Sequence, residues 1–161
     1  MNISVDLQIA CQVDSAPRES EVHAWLEQAY RAGKPNASRH GDVSVRIVDE
    51  NESRQLNNQY RHQDKATNVL AFPAGSPAEF GALPEDEAQP LGDLVICGPL
   101  VEQEAEDQGK SPAGHWGHLL IHGMLHLLGY DHETSSQAAE METMERKILA
   151  ERGFEDPYQE R

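Results

Sequence analysis

The chain has 161 residues, 38% of them hydrophobic, which suits a single domain over residues 1–161 that buries roughly two-thirds of its unfolded surface. No apolar run approaches the roughly 20 residues needed to cross a bilayer. The opening MNISVDLQIACQV also lacks the basic and apolar regions of an export signal, so a cytoplasmic protein without a membrane partner is expected. The net charge of −15 weighs against nucleic-acid binding by the surface as a whole, because phosphates are met by Lys and Arg.

The first expected element is a half-buried strand in which Ile3, Val5, Leu7, Ile9, Cys11 and Val13 alternate with mostly polar residues. Ser20 opens a helix with Val22, Trp25, Leu26, Ala29 and Tyr30 at helical spacing, closed by Gly33. A second strand carries Val43, Val45 and Ile47 and ends at Asp49, a residue suited to cap a helix bearing Leu56 and Tyr60. The stretch 39–65 is neutral, with Arg39, Arg46, Arg54, Arg61 and Lys65 offsetting Asp42, Asp49, Glu50, Glu52 and Asp64. Residues 66–109 hold acids and no Lys or Arg. An anionic substrate would therefore meet the neutral strip, and the acidic remainder suits a basic protein.

Residues 67–72 read as a third strand stopped by Pro73, residues 74–90 as a mobile loop rich in Pro, Gly and acids, and Leu91–Cys97 as a fourth strand. Cys11 and Cys97 lie in apolar segments and read as buried hydrophobes, not as a disulfide. One helix follows from Pro99 to Gly109 and a second from Ser111 to Leu128, stopped by Gly129. The last helix opens with a capping box, Thr134 and Gln137, and carries an apolar stripe of Met141, Met144, Ile148 and Leu149 up to Gly153. Four strands interleaved with helices predict an α+β fold with a small mixed four-stranded sheet covered by helices.

Five of the eight histidines fall between His115 and His132. His115, His118, His122 and His126 share one helix face, and His122 and His126 are one turn apart, about 6 Å along the axis, so both imidazoles can reach one metal. Gly129 lets the chain reverse, which brings His132 back as a third ligand. The pattern H-x-x-x-H-x-x-G-x-x-H is that of the metzincin zinc proteases with one change. Three protein ligands on one Zn2+ leave a fourth position open, as in catalytic rather than structural sites. Gly123 occupies the position where those proteases carry the Glu that activates water, which argues against peptide hydrolysis. A metal-bound hydroxide could still attack a phosphodiester if a cation steadied the developing charge. His118, His115 and Asp131 are candidates for orienting or packing roles around the ligands. Met141 and Met144 read as core at their helical spacing.

The string HGMLHLLGYDH, together with LNNQYRHQDKATNVLAFP over 56–73, GDLVI over 92–96, the strand start DLQIA and the ending EDPY, resembles the YbeY family of bacterial endoribonucleases over most of the chain. The resemblance implies a zinc-bearing nuclease for single-stranded RNA, acting in ribosomal RNA maturation at the 3′ end of the small-subunit RNA and in ribosome quality control. It implies zinc ligation by His122, His126 and His132 and a catalytic role for Arg61, whose guanidinium would clamp a phosphate through paired hydrogen bonds. Implied partners are the small ribosomal subunit, one of its basic ribosomal proteins and a ribosome-associated GTPase. Two departures from the family pattern are Ala66, where Pro is usual, and Ala71, where Ser is common; the first predicts a looser turn near Arg61. The rival functions are a metzincin-type metalloprotease and a non-catalytic, zinc-containing ribosome-assembly factor.

Overall fold

The structure is a computed structural model that describes residues 3–37, 39–75, 88–131 and 133–158. Strand β1 (Ile3–Ile9) pairs in parallel with β2 (Gly41–Val48), which pairs in parallel with β4 (Gln89–Cys97). The short strand β3 (Val69–Pro73) runs antiparallel along the outer side of β4. The order β1-β2-β4-β3 makes the sheet mixed, as the alternation of strands and helices predicts, with β3 at one edge. The first strand stops at Ile9, not at Val13. β2 ends at Val48 to enter its helix cap, and among the described residues the pairing of β1 ends with the bond from Ala10 N–H to the Ile47 carbonyl. Cys11 and Val13 still pack against the core from the following loop, and both cysteines are free thiols. Residues 76–87, the body of the loop expected over 74–90, lie outside the described residues.

The helices begin where their capping chemistry places them. Helix α1 (Glu19–Gly33) buries the expected face of Val22, Trp25, Leu26, Ala29 and Tyr30. Asp49 accepts the Glu52 N–H at 2.8 Å and starts α2 (Glu50–Arg61), and Thr134 with Gln137 forms the expected capping box of α5 (Ser135–Glu151). Helix α3 (Gly98–Gln108) ends at Gly109 in the left-handed region, φ 65°.

Helix α4 (Pro112–Leu127) is the central element, touching α1, α3, α5, β3 and β4. Two glycines inside it explain how it fits. A Cβ on Gly117 would sit 2.5 Å from the Trp25 ring of α1, and one on Gly123 would sit 2.8 Å from Leu94 of β4. Each glycine costs about 1 kcal/mol of helix propensity relative to Ala. In return the helix backbone lies hard against α1 on one side and the sheet on the other. Trp116, Leu120, Ile121, Met124 and Leu125 are then fully buried, while the histidine face is left to line a cleft against β3.

Candidate metal centre and catalytic cleft

Ser111 accepts the Gly114 N–H at 3.1 Å and Pro112 occupies the first turn, so α4 starts cleanly one turn before the first histidine. At its other end the Gly129 N–H donates to the His126 carbonyl and the Tyr130 N–H to the Leu125 carbonyl, both at 3.0 Å. Gly129 takes φ 99°, the conformation that its lack of a Cβ permits. The Tyr130 hydroxyl donates to the Gly33 carbonyl at 3.0 Å and ties the reversal to α1. The chain thus turns back as expected as far as Asp131, which lines the cleft. His132, the third expected ligand, lies outside the described residues.

His122 and His126 do converge. Their Nε2 atoms are 3.2 Å apart, with ring planes at 77°. Two nitrogens bound to one tetrahedral ion at about 2.0–2.1 Å stand about 3.3 Å apart, so this pair has the spacing of two ligands on one metal.

Behind His122 lies a carboxylate that the sequence reading did not single out. Glu145 of α5 is fully buried, and its Oε1 accepts the His122 Nδ1–H at 2.6 Å. His118 Nε2 stands 3.5 Å from the same oxygen, and the Tyr158 hydroxyl donates to Oε2 at 2.5 Å. Burial works against ionisation of Glu145. The hydrogen bonds from His118, His122 and Tyr158 outweigh it and hold the carboxyl down at about 2. Burial and the Glu145 carboxylate together push the Tyr158 phenol well above its ordinary range. His118, His122 and Glu145 form a group that can hold a metal ion. The 2.6 Å contact, however, is that of a charge-assisted hydrogen bond. An ion bound to both atoms at about 2.0–2.1 Å would need a ligand–metal–ligand angle near 80°, far from tetrahedral. The sequence did carry a signal for Glu145: it sits four residues after Met141 and three before Ile148, an acid within the apolar stripe of α5.

The opposite wall of the cleft, a space of about 540 Å³, is built by α2 and β3. Arg61, the last residue of α2, lines it together with Asn68, His118, His122, His126 and Tyr158. His62 in the left-handed conformation, φ 59°, ends the helix there. One guanidinium nitrogen of Arg61 donates to the Ala71 carbonyl at 2.8 Å, and the group lies over the Phe72 ring at 5.3 Å. The contact at residue 71 is through the backbone carbonyl and does not use the side chain there. The turn expected to be loosened by Ala66 is pinned on both sides, by Asn57 Nδ2 donating to the Lys65 carbonyl and by the Ser53 hydroxyl, which bonds both the Thr67 carbonyl and its N–H, each at 2.9 Å. Lys65 itself does not line the cleft. Met141 is buried and Met144 packs on the core, as their spacing predicts.

Asn68 is held from both ends. Its Oδ1 accepts the Val69 N–H at 2.7 Å and its Nδ2 donates to Glu104, which in turn accepts from His115 Nε2 at 2.9 Å. His115 is buried, and desolvation lowers its pKa from the ordinary 6.5 despite the neighbouring Glu104. Its stabilising contribution is therefore fully present above about 6.5 and is lost as pH falls through the depressed native value. The urea midpoint of the protein should fall more steeply between pH 7.5 and 5.5 than that of His115→Gln, which keeps a donor for Glu104 but does not titrate. Parallel curves for the two proteins would show that His115 carries no such linkage.

Among the described residues no helix is long and apolar enough to cross a membrane. The family model described as "Endoribonuclease YbeY" matches residues 6–153. The chain is 56% identical over 147 residues to a protein of that name from Halorhodospira halophila, covering 91% of each chain. It is 48% identical over 158 residues to another from Pseudomonas savastanoi, covering 98% of this chain and 89% of that one. The solution structure of TM1509 from Thermotoga maritima superposes with a TM-score of 0.57 at 23% identity, covering 97% of this chain and 99% of the other, a likeness of fold.

Proposed function

The chain belongs to the YbeY endoribonuclease family, and on that premise we propose that it is a zinc-dependent endoribonuclease cutting single-stranded RNA during ribosomal RNA maturation and ribosome quality control. The observation that carries this reading is the pairing, across one cleft, of two imidazole Nε2 atoms 3.2 Å apart with the guanidinium of Arg61. His122, His126 and His132 would hold one zinc ion. Bound there, zinc supplies Lewis acidity for activating water or polarising a phosphate oxygen. Arg61 binds the phosphate that is cut. Its anchoring by the Ala71 carbonyl and the Phe72 ring presents the remaining N–H groups without further loss of side-chain freedom.

Two features favour RNA over a peptide. Gly123 lines the cleft, but a Cβ there would stand 2.8 Å from the Leu94 side chain, so the position after His122 accepts a side chain only if Leu94 shifts. Extended peptides also bind by adding a strand to a free sheet edge. Cys97 N–H donates to the Asn68 carbonyl, so Val69 and Ala71 present their backbone polar groups to the other side of β3. There the Val69 N–H is taken by the Asn68 side chain and the Ala71 carbonyl by Arg61. The family reading further proposes action in the cytoplasm, on the small ribosomal subunit, alongside a basic ribosomal protein and a ribosome-associated GTPase, by residues 1–161 acting as one unit.

The test is zinc content together with cleavage of a single-stranded RNA and its duplex. The expected result is about one zinc per chain in both the wild type and Arg61→Ala. Cleavage should be confined to the single strand, abolished by chelation, and reduced at least about 100-fold in Arg61→Ala. Cleavage by Arg61→Ala at the wild-type rate would remove Arg61 from the mechanism. Chelator-sensitive digestion of casein would favour the protease instead.

A further inference from the structure

Behind His122, the His118–Glu145–Tyr158 cluster joins α4, α5 and the C-terminal segment on the side away from His126. We propose that Glu145 and Tyr158 are positioning residues for the metal: Glu145 fixes His122 so that its Nε2 faces His126, and Tyr158, carried on the segment after α5, fixes Glu145. The proposal rests on the reading that His122 and His126 ligate the metal.

Four observations carry it. A neutral imidazole has one N–H, and the 2.6 Å contact between His122 Nδ1 and Glu145 Oε1 places that hydrogen on Nδ1. The lone pair is thereby left on Nε2, 3.2 Å from its counterpart on His126. Glu145 is fully buried, so the carboxylate is stable only while its oxygens are bonded. The two oxygens accept from different donors, His122 and Tyr158, so Glu145 cannot turn to ligate an ion without losing both bonds.

The Tyr158 hydroxyl, in turn, does not depend on its own side chain alone for its position. His118 Nε2 lies 3.2 Å from it, with the two rings edge to face at 5.2 Å. Lys110, from the α3–α4 turn, donates to the Pro157 carbonyl at 2.7 Å. Asp156 accepts from both the Tyr158 N–H and Arg146 Nε, while the Arg146 guanidinium covers the Tyr158 ring at 5.1 Å. The segment E-D-P-Y is therefore a strap, fastened at Lys110 and Arg146, that delivers one hydroxyl to the carboxylate behind His122. This gives the last described residues a role in metal affinity.

The experiment measures zinc affinity of the full chain by competition with a chromogenic chelator. The proteins are wild type, Tyr158→Phe, Glu145→Gln, the double variant and His126→Ala, each checked for helix content by circular dichroism. Tyr158→Phe removes one oxygen from a partly exposed side chain. It should bind zinc several-fold more weakly, and Glu145→Gln about 10–100-fold more weakly. The double variant should be no weaker than Glu145→Gln, because Tyr158 acts through Glu145. With cobalt(II) in place of zinc, the visible bands of Glu145→Gln should keep their wild-type positions, since the ligand set is unchanged. Wild-type affinity in Tyr158→Phe would overturn the proposal, and this variant decides the matter alone if Glu145→Gln does not fold. Fully additive losses, or cobalt bands that change in Glu145→Gln, would overturn it as well. Undiminished zinc binding by His126→Ala would instead overturn the ligand assignment beneath it.

Discussion

His126→Ala should lose its zinc, to below about 0.1 per chain, and cleave single-stranded RNA at least about 1,000-fold more slowly, while keeping the wild-type circular dichroism. The size follows from what the metal contributes: several kcal/mol of stabilisation for charge developing in the transition state, at 1.36 kcal/mol per tenfold in rate. The fold survives because the residues that hold α4 in place are on its other faces. Trp116, Leu120, Ile121, Met124 and Leu125 remain in the core, and the Ser111 cap and the reversal at Gly129 do not use the imidazole. The variant also separates the rival readings. Cleavage that survives equally in His126→Ala and Arg61→Ala belongs to a contaminating nuclease. Normal ribosomal RNA processing in cells carrying a folded but inactive His126→Ala would favour the assembly factor whose zinc is not catalytic.

Gly123→Glu should not convert the protein into a protease, although it restores the letter that the metzincin pattern has at that position. It should lower stability by about 3 kcal/mol or more. A Cβ there already meets Leu94 Cδ2 at 2.8 Å and Val69 Cγ2 at 3.4 Å, and Leu94 is itself fully buried with little room to move. Overpacking of this kind costs about 1–3 kcal/mol, and a carboxylate without a hydrogen-bond donor adds its desolvation. Gly123→Ala isolates the steric part. Its loss should be smaller, because alanine adds no longer chain to pack and no carboxylate to desolvate. Chemical denaturation of the three proteins and a casein digest measure both halves of the prediction. A Gly123→Glu protein as stable as wild type and active on casein would show that Leu94 yields to a side chain there, and the steric argument would fail.

Those two positions also mark how the site divides between what could be read in advance and what could not. His122, His126 and Gly129 were legible because their relation is local: one helical turn separates the imidazoles, and one residue without a Cβ turns the chain. The caps at Asp49, Ser111 and Thr134 were legible for the same reason. Glu145 and Tyr158 lie 23 and 36 positions beyond His122 and meet it only when α5 and the strap pack against α4. The apolar stripe of α5 advertised a core contact, and it hid the acid embedded in it.

By itself the sequence determined the alternation of strands and helices, the helix boundaries within a residue or two, and a pair of imidazoles one helical turn apart beside an arginine-bearing segment. Each follows from side-chain periodicity or from capping, which act over a few residues. The tertiary structure alone decided that β3 sits antiparallel at the sheet edge, with the outward Val69 N–H and Ala71 carbonyl taken by the Asn68 and Arg61 side chains. It alone decided that Leu94 crowds a side chain at Gly123, and that a buried carboxylate stands behind His122. Those features depend on which surfaces meet after the chain folds, and distance along the chain carries no information about that.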